Sequence, residues 1–282
     1  MRIRLNAAGL TDVGREREHN EDAIFYLVTR DERDEPLGMF IVADGVGGQL
    51  AGEIASQWAV AAVRDALRDL FAPPDKMQTQ PVDNQRTPML KPVRTDGGHR
   101  PPSSASLRER VVSAVQTGNL SVFGLTREKP AEAGNAGTTL TMALVHSDRA
   151  IIGNVGDSRV YLLRGKEIRQ ITRDHSLIAG LIESGNVKPE DAFTHPARNV
   201  IVRSLGRDPK IEVDIFEENL HVGDTLLLCS DGLWEMVHDA QTIAAITHGA
   251  PTPMEACRGL IDAANAAGGT DNISVIAVRV ES

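Results

Sequence analysis

Cysteine is scarce in this 282-residue chain: Cys229, inside an apolar run, and Cys257, in a helical pattern, are the only two. They provide neither a disulfide framework nor a zinc site and read as reduced core residues. Positive charge is also short, with 30 Lys and Arg against 39 Asp and Glu and a net charge of −9. Phosphate backbones and anionic bilayers repel such a surface unless a basic patch is segregated from it, so neither nucleic acid nor membrane is an expected partner. No apolar run approaches the roughly 18 residues of a membrane span, and the opening MRIRLNAAG lacks the apolar core of a signal peptide. The expectation is a cytoplasmic monomer. Internal repeats and coiled-coil heptads are lacking too. What remains, 41% hydrophobic and 24% charged residues, is the composition of a globular protein with a sizeable core.

Apolar and β-branched runs bounded by Gly, Asp and Asn predict strands at 2–9, 23–29, 38–43, 138–146, 149–154, 158–164, 167–171, 212–216, 225–229 and 272–280. Several are joined too closely for crossover helices, and a hairpin turning at Arg164, Gly165 and Lys166 points to antiparallel pairing. Helical patterns fall at 51–70, 106–127, 176–184, 239–247 and 254–266. In the first, Ile54, Trp58, Ala61, Ala62 and Asp65 mark the expected inner stripe. Strands in blocks and helices in pairs predict an α+β fold with sheets sandwiched between helices. Residues 72–105, rich in Pro, Gly, Ser and Gln and locally basic, read as a flexible surface insertion, with a docking arm as the alternative.

Acids at strand ends are the sequence's most pointed feature. The runs Phe40–Ala43 and Leu226–Cys229 lead into Asp44-Gly45 and Asp231-Gly232, Ile151 and Ile152 lead towards Asp157, and Asp271 stands just before the last strand. An Asp-Gly pair is commonly a turn, as Asp96-Gly97 in the insertion is expected to be. The four acids differ in ending central strands, where a lone buried carboxylate costs several kcal/mol unless compensated. Divalent Mg²⁺ or Mn²⁺ supplies that compensation through oxygen ligands and retained water. A pair of such ions turns water into a nucleophile for hydrolysis. In GREREHNED, Arg17 precedes Glu21 and Asp22, and an Arg beside metal-binding acids suits phosphoester chemistry, although the stretch alone reads as a solvated charged loop.

Taken in order, GREREHNED, VADGVGG, AGTTLTMALV, NVGDSRVYLLRG, ITRDHS, HPARNVIVRSLG, LLLCSDGLW and GGTDNISVIAV resemble the blocks of the metal-dependent protein phosphatases of the 2C type, above all their bacterial serine/threonine members. The resemblance covers nearly the whole chain outside 72–105. It implies one domain over 1–282, built as a four-layer α-β-β-α sandwich with two central, mostly antiparallel sheets flanked by helix pairs. It implies that Asp44 bridges two metals, that Gly45 offers its carbonyl, that Asp231 and Asp271 complete the ligands, and that Glu21 and Asp22 hold metal-bound waters. Asn272 would lie just behind Asp271. Asp157 and the shared Asp231 match the positions for a third, weaker ion, and Arg17 would orient the phosphoryl group. Asp44, Asp231 and Arg17 would carry catalysis.

The implied activity is hydrolysis of phosphoserine and phosphothreonine by a hydroxide bridging two Mn²⁺ or Mg²⁺ ions, without a phosphoenzyme. Neither Cys is followed by the phosphate-cradling loop a cysteine phosphatase needs. The partners implied are phosphorylated proteins, including Ser/Thr kinases. Val46 stands where eukaryotic relatives place a histidine proposed as general acid, so water on a metal is the expected proton donor. His175 and His195 are the alternatives, with a structural role the plainer reading of each. The flap of the family corresponds to about 176–205, where Arg198 and Arg203 suit either phosphopeptide binding or surface salt bridges. Rival readings are a non-catalytic phosphoprotein-binding module and another metal-dependent phosphoesterase or nuclease.

Overall fold

The computed structural model describes residues 3–47, 50–71, 104–128, 134 and 136–282. Most of the expected insertion, residues 72–103, lies outside the described residues, and Ser104 already opens a helix. The elements in chain order are β1 (Arg4–Asp12), β2 (Asp22–Arg30), β3 (Pro36–Val46), α1 (Leu50–Ala66), α2 (Ser104–Glu128), β4 (Gly137–Thr138), β5 (Leu140–His146) and β6 (Arg149–Val155). There follow β7 (Arg159–Arg164), β8 (Glu167–Gln170), α3 (Leu177–Glu183), β9 (Asp214–Asn219), β10 (Thr225–Cys229), α4 (Asp231–Trp234), α5 (Ala240–Gly249), α6 (Pro253–Ala266) and β11 (Ile273–Glu281). Short 3₁₀ turns occupy Arg68–Leu70 and Pro189–Thr194.

Two sheets form, one ordered β1-β11-β10-β7-β8 and the other β2-β3-β5-β6-β9 with β4 beside β3. All their pairings are antiparallel, and the expected hairpin turns between β7 and β8 with Gly165 at φ +59. Period-2 alternation sends each central strand's side chains into two different cores. From β3, Phe40 and Val42 meet Leu226, Leu228, Ile276 and Val278 between the sheets. Met39, Ile41 and Ala43 on the other face pack under α1 and α2. Leu227, Cys229, Val275 and Ala277 face outward from the second sheet and lie under α5 and α6. Three apolar layers between four layers of secondary structure are the expected α-β-β-α sandwich.

Local chemistry starts the outer helices. Asp239 caps α5 by accepting from the N–H groups of Gln241 and Thr242. Thr252 caps α6, its hydroxyl accepting from Glu255 N and donating to the Glu255 carboxylate ahead of Pro253 at the first helical position.

Two expectations need correction. The third strand runs to Val46, so Asp44 and Gly45 lie within it, because β4 pairs Thr138 with Gly45 and Gly137 with Val46. The inner face of α1 is Gly52, Ala55, Ser56, Ala59, Val60 and Val63, while Trp58 is 36% exposed. Small residues bring the helix close to β3, and a tryptophan cannot fit in that seam. Phe40→Ala, at a fully buried position between the sheets, is expected to cost about 3–5 kcal/mol in urea unfolding, whereas Trp58→Ser costs under about 1 kcal/mol.

Candidate active site

The strand-end acids converge where the two sheets meet at one edge. From one sheet, Asp22 opens β2 directly across from Asp44 in β3. Opposite, Asp231 starts α4 straight after β10, and Asp271 precedes β11. Asp157 joins them from the β6–β7 turn and is 2% exposed. The charge of Asp231 acts directly on the Asp44 carboxyl across the cleft. Ser230 bridges the sheets, its hydroxyl donating to Asp22 Oδ2 at 2.8 Å while accepting from Ser274 N at 2.9 Å.

A collar of hydroxyls and amides holds these acids in place. Thr139 Oγ1 accepts from Asp44 N at 3.0 Å, and Thr139 N and Thr138 Oγ1 both donate to the Asp44 carbonyl. The Thr139 hydroxyl also meets that of Ser158 at 2.7 Å, tying Asp44 to the Asp157 turn. Asn272 pins the loop before β2: its Nδ2 donates to the carbonyls of Val13 and His19, and its Oδ1 accepts from Glu21 N. Gly14, at φ +82, lets that loop turn against Asp271, whose carbonyl any side chain there would strike. Gly45 is required by contact, because a Cβ would collide with the carbonyl of Gly52 in the first turn of α1. Glu21, 7% exposed, lies beside that turn, its carbonyl accepting from Gly45 N and Ser56 Oγ.

Crowding governs the electrostatics. Burial, then the charges of Asp231, Asp22, Asp157 and Asp271, hold the Asp44 carboxyl well above the usual range. Asp157 is raised in the same way by burial, Asp231 and Asp174. Asp22 is pushed up to about 7 mainly by burial, against the hydrogen bonds of Ser274 and Ser230. Asp231 also reaches about 7, through burial and the charges of Asp271 and Glu235. Carboxyls gathered this closely keep protons at neutral pH unless a cation replaces them.

The donor set fits divalent cations. Three of the seven buried side-chain polar atoms without a hydrogen-bond partner, among the described residues, are Asp22 Oδ1, Asp157 Oδ1 and Asp231 Oδ1. Unpaired acceptor oxygens of hard carboxylates suit Mg²⁺ or Mn²⁺. Among the described residues, no three His, Cys, Asp or Glu side chains are gathered so as to hold an ion by themselves. An ion held in this cleft would therefore draw on water and backbone oxygen besides carboxylate. Arg17 lies at the rim, 46% exposed, with Nη2 donating to Asp271 Oδ2 at 2.6 Å.

Other expected residues fall into supporting positions. His175 Nδ1 accepts from Gly156 N at 3.1 Å, which leaves its Nε2 towards Asp214 Oδ2 at 3.3 Å, and burial lowers its pKa. His195 Nδ1 accepts from Ala197 N in a local turn. Arg203 pairs with Asp214 at 2.7 Å and Glu212 at 3.4 Å, so the salt-bridge reading holds for it. Arg198 lies close enough to Glu235 to lower its pKa against the stronger effect of burial. Thr138, Thr139, Ser158, Ser230 and Glu235 were not foreseen as site residues. Their signal is hydroxyls adjacent to the blocks' aspartates in GDS and CSDG, and a pair of hydroxyls in GTTL.

A sandwich whose sheets gather carboxylates with unpaired oxygens, and an arginine at the rim, defines a divalent-cation hydrolase centre. Residues 14–259 match the family model described as Protein phosphatase 2C, and the chain belongs to that family. It is 35% identical over 275 residues to the serine/threonine phosphatase stp of Listeria innocua, covering 98% of this chain and 96% of that one. It is 34% identical over 271 residues to the protein phosphatase PhpP of Streptococcus pneumoniae, with 96% of each chain covered. The crystal structure of the catalytic domain of the phosphatase PstP in complex with 2 manganese ions superposes with a TM-score of 0.76 at 30% identity, covering 99% of this chain and 100% of that one.

Asp22 and Asp231 titrate near 7 when folded and near 3.8 when unfolded, so the folded state holds more protons in between and loses stability as pH rises from about 4 to about 7. In chelator, urea midpoints measured at pH 5 and pH 7.5 should fall with pH, and fall less in Asp231→Asn. The difference, on the order of 1 kcal/mol once solvent screening in the cleft is allowed for, should vanish when Mn²⁺ is added.

Proposed function

We propose that the chain is a serine/threonine protein phosphatase acting at the Asp44–Asp231 cleft. The observation that carries this reading is the convergence of Asp22, Asp44, Asp157, Asp231 and Asp271 from both sheets, with acceptor oxygens left unpaired. The names of the Listeria and streptococcal relatives support the reaction class.

Each residue has a role in the proposal. Asp44, Asp231, Asp271 and the Gly45 carbonyl would hold divalent ions together with water. Glu21 and Asp22 would hold waters beside those ions. Asp157 and Asp231 would hold a third, weaker ion. When bound, Mn²⁺ or Mg²⁺ supplies a nucleophile from water at neutral pH and neutralises charge on the phosphoryl oxygens. Arg17 binds two phosphoryl oxygens through its planar fork and turns the phosphorus towards the acids; to do so it releases Asp271, a half-exposed pair whose loss costs little. Asn272 keeps the Arg17 loop in register by its bonds to Val13, His19 and Glu21. Val46 at the end of β3 offers no proton, so the departing serine or threonine oxygen takes one from water in the cleft.

The substrates in this reading are phosphorylated proteins, Ser/Thr kinases among them, met by a cytoplasmic monomer made as one domain over 1–282. Among the described residues, no helix is long and apolar enough to cross a membrane. Phosphate release from a phosphothreonine peptide is expected with Mn²⁺ or Mg²⁺ and to stop with chelator. Asp231→Asn should lower it about 100-fold, and Arg17→Ala should raise KM for the peptide about 10-fold. Near-normal, metal-stimulated turnover by Asp231→Asn would sink the ligand assignment. Turnover of phenyl phosphate but no phosphopeptide would favour a small-molecule phosphoesterase.

A further inference from the structure

Arg159 begins β7 two residues after Asp157, and its side chain folds back into the protein, 17% exposed. Its Nε donates to both Asp174 oxygens at 3.1 Å, its Nη2 to Asp174 Oδ2 at 2.6 Å, and its Nη1 to the Tyr161 hydroxyl at 3.0 Å. With the guanidinium anchored in that way, its central carbon stands 3.5 Å from the centroid of the Trp234 ring. Trp234, 6% exposed, is the last residue of the short helix α4 that Asp231 starts. Its indole N–H donates to the backbone carbonyl of Asp157 at 3.1 Å. A closed circuit results, from Asp157 along the chain to Arg159, across the stack to Trp234, and through one helical turn to Asp231.

We propose that Arg159 is a positioning residue that sets the gap between the Asp157 and Asp231 carboxylates by holding Trp234 against the Asp157 turn. The proposal rests on the assignment of Asp157 and Asp231 as ligands of a shared, weaker divalent ion. Arg159 contacts no ion or substrate in it. A flat, delocalised cation is what the arrangement demands, because it stacks on an indole and grips a carboxylate edge-on at the same time. Lysine keeps the charge but can do only one of the two. Residues that orient ligands from behind in this way change metal affinity by about 10- to 100-fold when replaced.

Mn²⁺ binding to the whole protein, counted by electron paramagnetic resonance of the free ion, tests this without relying on turnover. Arg159→Lys is expected to weaken the loosest class of bound Mn²⁺ about 10-fold and leave the tighter ions as they are. Trp234→Phe, which keeps a ring for the stack but lacks the N–H, should do the same, and serves if Arg159→Lys does not fold. In phosphopeptide turnover at limiting Mn²⁺, kcat should fall with KM unchanged. If both variants melt at a lower temperature yet bind Mn²⁺ as wild type does, the role is merely structural and the proposal is overturned. Asp157→Asn distinguishes the two levels of the argument. A shift in Asp157→Asn but in neither of the other two variants overturns the positioning role alone. No shift in any of the three overturns the ligand assignment and the positioning role with it.

Discussion

Like charges held together out of water are the constraint on which this structure depends. Asp22 faces Asp44 across a strand pair, and Asp231 and Asp157 close on them from other elements, so each raises the proton affinity of its neighbours. Side by side in a low-dielectric edge, such groups repel unless protons or cations stand between them. The sandwich tolerates this because both sheets are anchored in continuous apolar layers well beyond the edge. What the cleft gains is a set of rigid oxygen donors already in place, which a cation need not assemble.

The surroundings of the acids distribute the work of holding them. Thr138 and Thr139 lock the Asp44 backbone, Ser230 spans from one sheet to the other, and Asn272 fastens a whole loop through three backbone groups. Contacts of this kind act on main chain more than on carboxylate oxygens. They fix position while leaving the oxygens of Asp22, Asp157 and Asp231 unpaired. The close approach of α1 to Gly45 adds a steric limit, since the Gly45–Gly52 contact excludes any side chain and brings Glu21 to the first turn of the helix.

The segment after β8 links this edge to residues 176–205. Asp174 grips Arg159, His175 accepts from Gly156, and Ser176 then caps α3. On the return, Arg203 pairs with Asp214 and Leu205 bridges to Thr138 beside Asp44. Both ends of that stretch are thus hydrogen-bonded to the turns that carry the acids, and its α3 and 3₁₀ turn rise from a fixed base. Phe193 stacks on His238 at 3.9 Å, adding a contact between the 3₁₀ turn and the segment that follows α4.

Unbroken apolar runs such as Phe40–Ala43 and Leu226–Cys229 determined by themselves that strands would be buried on both faces, because apolar side chains at every position need a core on each side. The acids terminating those runs likewise announced a shared charge centre, since burial of one alone would be prohibitive. Capping signals at Asp239 and Thr252 fixed helix starts locally. Tertiary structure alone decided that α1 turns its alanines inward and Trp58 outward, because the inner face is set by the room left above β3 and not by hydropathy. It also decided that β3 continues through Asp44, a pairing that depends on Gly137 and Thr138 some ninety residues away. Hydroxyls of Thr139, Ser158 and Ser230 came to brace the acids for the same reason: hydrogen bonds between distant residues carry no periodicity along the chain, so only their meeting in space reveals them.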